Sequence, residues 1–422
     1  MRGRLAGVPG VHFVRRPRTD ESPEFDLGYV RAGPSSAVPA VVLPGGPGLA
    51  SVLPYRAFRR RCAEQGLGTV MIEHRGVGLS REDLDGADLP ATALTVRSAV
   101  DDIAAVLDAE GIDRAIIYGS SYGSYLAQAF GAWHPDRVAG MVLDSTMASA
   151  NDHVVVRAHV RDLLWEGNTA ATTTVAHLLR QLVDSGAVEL DQACAVTRIV
   201  YELAGTETLH RLLTVRGRGK SRTWRWIARL GDRETNDVAP FVMEFDLVGR
   251  IALRELNYAP EPDGGPFDPA IDFRPLAADY DPFEAEPLNL PAQWAGFDWP
   301  LVVLSGDRDL RTPRPIADRV VSAAPDAALV PLPCGHSALD THAQAAVAAI
   351  AAVTNRTHHE LDTDFPGGAG PRRNGTSRGL GTIIRAGLAL EGLLPGGRGD
   401  GSIQPPESCW VQRTQDHPND AD

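Results

Sequence analysis

The sequence predicts an α/β protein with an eight-stranded, mostly parallel sheet and a helical cap inserted after the sixth strand. Two observations support this fold class. Short runs rich in β-branched residues alternate with longer amphipathic runs, the pattern of a parallel sheet covered by helices. Between about residues 146 and 298 this alternation stops, and a helical pattern followed by a Pro-, Asp- and Gly-rich stretch replaces it.

The elements of the predicted sheet can be placed in order along the chain. Eight segments have the length and composition of strands: 11–15, 25–31, 40–43, 69–73, 115–118, 138–143, 301–304 and 328–332. Four segments between or after them have the length or apolar spacing of helices: 55–65, 96–110, 122–133 and about 341–353. The sheet and its covering helices therefore come from two separated parts of the chain.

The same patterns divide the chain into four parts. Residues 1–145 and 299–354 form the core, and residues 146–298 form the cap, which we expect to lie over the carboxyl ends of the strands. Residues 355–422 are rich in Gly, Pro, Arg and Asp. Such a composition predicts a disordered tail, with at most a short helix around 380–394, that is dispensable for chemistry.

Composition excludes several classes of protein and partner. Of 422 residues, 43% are apolar and 23% charged, as in ordinary globular proteins. The net charge of −13 argues against a nucleic-acid partner. Four scattered cysteines predict neither a disulfide framework nor a zinc site. The basic amino terminus fits a first strand better than a signal peptide, and the apolar tract 345–353 is too short to span a bilayer, so we expect a cytoplasmic protein without a membrane partner.

The segment 119–123, Gly-Ser-Ser-Tyr-Gly, carries the strongest chemical signal. It follows an apolar strand and opens an apolar helix, so a G-x-S-x-G pattern here predicts a tight strand-to-helix turn that projects the hydroxyl of Ser121 outward. The adjacent helix N-terminus favours developing negative charge. Ser121 is therefore the predicted nucleophile of an α/β-hydrolase fold.

A serine hydroxyl needs a base, and the chain order of this fold is serine, then acid, then histidine. His336 follows the last predicted strand in the required strand-and-loop context, and His342 is its only near competitor. The loop after the preceding strand offers Asp307 and Asp309 as the acid. We prefer Asp309, because Asp307 falls inside the immediate turn, where aspartate commonly bonds the local backbone.

Acyl transfer also requires hydrogen-bond donors for the oxyanion. One predicted donor is the backbone N–H of Tyr122, which follows the nucleophile. The other is expected in the loop Pro44-Gly45-Gly46-Pro47-Gly48 after the third strand. Gly46 is the preferred residue there, because Pro47 has no N–H.

Five motifs together resemble the proline iminopeptidase and tripeptidyl aminopeptidase family of α/β-hydrolases: PGGPG, EHRGVGLS, GSSYGSYLAQAFGAWHPDRVAGMVLDS, SGDRDLRTP and CGHS. The resemblance covers about residues 38–146 and 300–340. The family usually has HGGPG and DxRGxG, whereas this chain has Pro44 and Glu73 at the positions of the His and the Asp. The resemblance implies a Ser-Asp-His triad at the residues named above and no metal or organic cofactor.

The resemblance also implies recognition of a free α-amine by cap carboxylates. The segment ALRELNY favours Glu255 for this role, and Glu244 is the second candidate. The predicted activity is release of N-terminal residues from short peptides. The same machinery would serve an esterase, a lactonase or a thioesterase acting on a small acyl substrate, and a non-catalytic ligand-binding protein is the remote alternative. The sequence leaves the oligomeric state open.

Overall fold

A computed structural model describes residues 1–35, 38–234, 239–361 and 375–393 of the chain. Within these ranges eight strands form one sheet: β1 (Val11–Arg16), β2 (Phe25–Ala32), β3 (Ala40–Leu43), β4 (Thr69–Ile72), β5 (Ala115–Ser120), β6 (Val138–Asp144), β7 (Leu301–Gly306) and β8 (Ala327–Leu332). Helices around the sheet are α1 (Arg2–Ala6), α2 (Arg56–Glu64), α3 (Val96–Ala109) and α4 (Tyr122–Trp133).

The later helices fall into three groups along the chain. Between β6 and β7 lie α5 (Asp152–Arg161), α6 (Thr173–Asp184), α7 (Leu190–Ala204), α8 (Thr206–Gly217), α9 (Arg222–Glu234), α10 (Phe245–Arg250) and α11 (Ala270–Ala277). The second part of the core has α12 (Arg314–Ala323), α13 (Ala338–Thr341) and α14 (Ala343–Asn355), and α15 (Gly375–Leu393) comes last.

The strand order confirms the predicted fold class. The order is β1-β2-β4-β3-β5-β6-β7-β8. The pairs β1–β2 and β2–β4 are antiparallel, and every other neighbouring pair is parallel. Because parallel strands end at one common edge, the loops after β3, β5, β7 and β8 meet there.

The core lies on both faces of the sheet, as the alternation of side chains along a strand requires. In β3, Val41 and Leu43 belong to the apolar cluster on one face, while Ala40 and Val42 belong to the cluster on the other. The first of these clusters continues into the apolar side chains of the helices between β6 and β7. The sheet and these helices therefore share one continuous apolar interior.

The helices α5 to α11 occupy the stretch of chain in which the sequence predicts a cap. The chain boundaries of that cap, at residues 146 and 298, remain predictions. No helix in the described parts of the chain is long and apolar enough to cross a membrane.

Residues 375–393 form α15, which is longer than the short helix that the sequence allows around 380–394 within the predicted tail. Ile384 is fully buried and Leu388 is nearly so, and both belong to the cluster that contains the cap helices. Glu391 accepts hydrogen bonds from the N–H groups of Arg222 and Thr223, at 2.7 and 2.8 Å, at the start of α9. The apolar face of α15 is buried against side chains of the cap helices, and the composition of the tail alone does not indicate this burial. Residues 355–361 of the predicted tail are also described and include the end of α14 and a short 3-10 helix, whereas residues 362–374 and 394–422 lie outside the described residues.

Candidate active site

Ser121 lies at the turn between β5 and α4, at the edge where the parallel strands end. Its backbone has φ 53° and ψ −120°, a strained conformation for a residue with a side chain. The turn is held by the Ser121 N–H, which donates to the Asp144 carbonyl at the end of β6 (2.8 Å). In this conformation the Ser121 hydroxyl reaches the loop after β8, where it contacts His336.

Two glycines allow this turn to pack closely against the loop after β3. A β-carbon on Gly123 would lie 2.1 Å from the carbonyl oxygen of Leu43, a distance that no side chain can adopt. A β-carbon on Gly45 would meet Cβ of Ser121 at 3.1 Å. The Pro44–Gly48 loop therefore lies directly beside the candidate nucleophile.

His336 connects Ser121 to a carboxylate. The Ser121 hydroxyl lies 2.9 Å from His336 Nε2, and His336 Nδ1 lies 3.0 Å from each carboxylate oxygen of Asp309. With Nδ1 as the protonated nitrogen, Nδ1–H donates to Asp309 and Nε2 accepts from Ser121, as base catalysis requires. The sequence separates Ser121 and His336 by 215 residues, and the sheet brings them together.

The Asp309 carboxylate is buried and fully bonded. It accepts from the backbone N–H groups of Arg311 and Thr312, both at 2.9 Å, and from the Thr312 hydroxyl at 2.8 Å. Burial opposes ionisation of Asp309, but His336 and these hydrogen bonds outweigh it and lower its pKa to about 2. The anion is therefore stable beside the imidazole at every pH near neutrality.

The pKa of His336 is set by opposing effects. Burial disfavours the imidazolium, but the charge of Asp309 and the hydrogen bond to it favour it, and the pKa is raised above its ordinary value. The same pairing that orients the ring therefore also strengthens it as a proton acceptor.

The two competing residues have other partners. Asp307 has a side chain that is 54% exposed and pairs with Arg314 at 2.9 Å. His342 is buried, and its Nδ1 is 2.9 Å from the hydroxyl of Thr341. The structure thus brings Asp309 and His336, rather than Asp307 or His342, to Ser121.

The candidate oxyanion donors belong to two segments that adjoin Ser121, the start of α4 and the loop after β3. Tyr122 is the first residue of α4, and its buried hydroxyl is 2.9 Å from His74 Nε2, which anchors the residue. The Gly46 carbonyl accepts from the hydroxyl of Tyr258, a residue between α10 and α11, at 3.1 Å. In the turns and loops of the described residues, neither the Gly46 N–H nor the Tyr122 N–H donates to a backbone carbonyl.

Glu73, at the position where the resembling family has aspartate, supports the loop after β3. Its fully buried carboxylate accepts from the N–H groups of Ser51 and Val52, at 2.5 and 3.1 Å. Burial, and to a smaller extent the charge of Glu244, raise the pKa of Glu73, while these hydrogen bonds oppose the rise. The longer side chain thus fills the role of a buried anchor for this loop.

The two predicted amine-binding carboxylates have different surroundings. Both oxygens of Glu244 are occupied, because Oε1 accepts from the N–H of Phe241 and Oε2 from the N–H of Gly78 and from Arg81. Glu255 is half-buried, and its Oε2 accepts from the N–H of Val96 at the start of α3 (2.8 Å). Val96 begins α3, and α3 packs against α4, the helix that begins beside Ser121.

Sequence reasoning missed Glu202, a residue near the carboxyl end of α7. Its buried side chain accepts from the N–H of Leu310, the residue after Asp309, at 3.0 Å. Glu202 and Leu310 are 108 positions apart in the chain. Its other oxygen lies 3.9 Å from Arg311 Nε. A single glutamate on an amphipathic helix carries no sequence signal for this contact.

Comparisons with known proteins agree with this architecture. A family model described as the alpha/beta hydrolase fold matches residues 39–195. Over 115 residues the chain is 34% identical to a proline iminopeptidase of Neisseria meningitidis serogroup A, and 31% identical to a probable proline iminopeptidase of Leptolyngbya boryana. The first alignment covers 27% of this chain and 34% of the relative, and the second covers 27% and 33%. The chain therefore spans about a third of the length of these curated relatives.

Among solved structures, a proline iminopeptidase of Mycobacterium smegmatis aligns with 83% of this chain and 100% of its own, at 19% identity and a TM-score of 0.47. A hydrolase of Pseudomonas aeruginosa aligns with 82% of this chain and 99% of its own, at 18% identity and a TM-score of 0.45. From its sheet order, its strand-to-helix turn at Ser121 and its matching family model, this chain has the α/β-hydrolase fold, and its core resembles the proline iminopeptidases.

Proposed function

We propose that the chain is a serine hydrolase that uses Ser121, His336 and Asp309 as its triad and releases N-terminal residues from short peptides. The observation that supports it most directly is the continuous hydrogen-bonded path from the Ser121 hydroxyl through both imidazole nitrogens to a buried carboxylate. Such a path provides a nucleophile, a base and a group that orients the base.

In the first half-reaction, Ser121 Oγ attacks the substrate carbonyl carbon while His336 Nε2 takes the hydroxyl proton. The carbonyl electron pair moves to its oxygen, and the N–H groups of Gly46 and Tyr122 are the proposed donors to this oxyanion. His336 then gives the proton to the leaving nitrogen as the C–N bond breaks. The first product departs with that proton, and the acyl group stays on Ser121.

In the second half-reaction, water replaces the leaving group. His336 takes a proton from the water as its oxygen attacks the acyl carbon, and the second oxyanion uses the same donors. The ester bond to Ser121 breaks, and His336 returns the proton to the serine oxygen. Asp309 remains ionised throughout, which is consistent with its lowered pKa.

The aminopeptidase assignment rests on the resemblance and on Glu255. Glu255 comes from the cap stretch, and one of its carboxylate oxygens accepts from the N–H of Val96 at the start of α3, which packs against α4. A substrate ammonium bonded to the remaining oxygen would form a charge-assisted pair in a poorly solvated site. Glu244 has protein donors on both oxygens, so the proposal keeps Glu255 alone.

The nucleophile is tested with Ser121→Ala. We expect loss of hydrolysis of every substrate and of labelling by a fluorophosphonate probe, with an unchanged circular dichroism spectrum. Ser120→Ala is the matched control, because the Ser120 side chain bonds Ser337 rather than His336. Substantial turnover by the Ser121 variant would move the nucleophile elsewhere.

The substrate class is tested by comparing a free aminoacyl arylamide, its N-acetyl derivative and a small neutral ester. N-acetylation should cost about 2–5 kcal/mol of transition-state binding, roughly 30-fold to several thousand-fold in kcat/KM. Glu255→Gln should reproduce most of this loss on the free-amine substrate and spare the ester, because glutamine can still accept from Val96. Glu284→Gln removes a charge from an exposed, Arg254-paired carboxylate and serves as control. Equal cleavage of both amides, or cleavage of esters alone, would replace the peptidase by an ester hydrolase.

A further inference from the structure

Three side chains with metal-binding atoms meet at the end of the sheet that lies away from Ser121. Asp326 immediately precedes β8, and its carbonyl accepts from the N–H of Leu301, the first residue of β7. His358 and His359 follow α14 in a short 3-10 helix. The three residues therefore join the start of two core strands to the segment that follows the last core helix.

The atoms of this Asp326–His358–His359 cluster converge closely. Nε2 of His358 lies 2.9 Å and Nε2 of His359 lies 2.8 Å from the same oxygen, Oδ1 of Asp326. The three ligand atoms all lie within 4.8 Å of one another. Nδ1 of His358 is buried and has no hydrogen-bond partner among the described residues, so only Nε2 of this residue faces the cluster.

The separations are close to those of neighbouring ligands on a metal ion. Two atoms bound tetrahedrally to a dication, each at about 2.05 Å, lie about 3.3 Å apart, so each histidine Nε2 would move from Asp326 Oδ1 by only about 0.5 Å. The two histidine Nε2 atoms lie within 4.8 Å of each other, and a movement of the His359 side chain, which is 60% exposed, can adjust this distance. His358 is 4% exposed and fixed by packing. Two imidazoles and one carboxylate are ligands suited to divalent zinc, nickel or cobalt.

We propose that Asp326, His358 and His359 bind one divalent transition-metal ion, through Nε2 of each histidine and Oδ1 of the aspartate. Each histidine binds the ion as a neutral imidazole with its proton on Nδ1, so a net proton is released only from a ring that was protonated before binding. Water completes the coordination on the exposed side of His359. The ion would fasten the chain after α14 to the beginning of β8, a structural role that is independent of the hydrolase proposed above.

The test titrates the full-length, chelator-treated protein with Zn²⁺ in a calorimeter. The variants are Asp326→Asn and His359→Gln, which change partly or largely exposed groups and leave the buried His358 in place. We expect one equivalent of Zn²⁺ bound by the parent protein, and affinity at least about tenfold weaker in each variant, because each loses a direct ligand. His210→Gln, on an exposed part of α8, should bind as the parent does.

A second measurement separates binding at this cluster from scattered binding to other histidines. Zn²⁺ should raise the thermal midpoint of the parent protein and of His210→Gln, and raise it less in the two cluster variants, because binding to the native state alone stabilises it. Equal affinities and equal thermal shifts in all four proteins would overturn the proposal. So would the absence of one saturable equivalent in the parent.

Discussion

At the scale of single residues, Asp307 and Asp309 lie only two positions apart in the chain but have very different surroundings. Asp307 points to solvent and Arg314, whereas Asp309 is buried against His336 and Thr312. A surface ion pair contributes little, while a buried carboxylate that holds an imidazole determines its tautomer and direction.

We therefore expect Asp309→Asn to lower kcat by about 10⁴-fold, the scale found for this change in another triad enzyme, because the imidazole loses its orienting anion. Asp307→Asn should lower kcat by less than about threefold. Steady-state kinetics on a single substrate measures both. A larger loss in the Asp307 variant would reverse the assignment of the acid.

Glu202 adds a second carboxylate near the imidazole. Three charged side chains act on His336. Asp309 and Arg311 lie in the loop after β7, and Glu202 comes from α7. Burial lowers the pKa of His336 and Arg311 opposes its protonation, whereas the two carboxylates raise it. Burial also raises the pKa of Glu202 itself.

Glu202→Gln should move the acid limb of the kcat/KM profile to lower pH, because removal of a negative charge lowers the pKa of His336. The plateau rate should fall by less than about tenfold, since the glutamine oxygen can still accept from Leu310. Glu207→Gln, at an exposed position paired with Arg211, is the control and should leave the limb in place. An unmoved limb in the Glu202 variant would mean that its charge does not reach the imidazole.

At the scale of elements, α15 belongs to the packed structure around the cap. One face of this helix contributes Ile384 and Leu388 to the apolar interior, while the neighbouring Ile383 is 55% exposed. The sequence-based expectation that the tail is dispensable for chemistry stays a prediction, but the packing of this helix leads us to expect that its removal would disturb the cap. This helix packs against α7, which also carries Glu202.

Ile384→Ala should destabilise the fold by about 2–5 kcal/mol, because it leaves a cavity between α15 and the cap. Ile383→Ala removes the same atoms one position earlier and should change stability by less than about 0.5 kcal/mol. Urea unfolding followed by circular dichroism compares the two variants. Equal effects would show that α15 does not dock on the cap in solution.

At the scale of the whole molecule, the two sites lie at opposite ends of the strands. His336 follows the end of β8, and Asp326 precedes its beginning. A strand of six residues separates the two ends by about 20 Å. Among the described residues, the sheet separates the two sites, and no residue belongs to both.

Asp326→Asn should therefore weaken Zn²⁺ binding while leaving kcat/KM in metal-free buffer within about twofold of the parent value, since the substitution touches no group of the proposed triad. The same protein preparation supplies both measurements. A large loss of activity would show that the start of β8 influences the position of His336 at its other end.

The sequence by itself determined the fold class and the candidate residues Ser121, Asp309 and His336. Strand and helix periodicities record which side chains are buried, and the glycines and serine at 119–123 require one particular turn, so both signals are local. The order of elements then places the loops after parallel strands at one edge. These features are encoded in neighbouring residues.

Only the tertiary structure decided which distant groups meet. The contact between Glu202 and Leu310, the docking of α15 and the convergence of Asp326 with His358 and His359 all join residues far apart in the chain. For the tail, a glycine-rich composition predicts too little burial, because composition counts only the segment's own apolar surface. The apolar surface that compensates belongs to the cap, and only packing of the whole chain brings the two together.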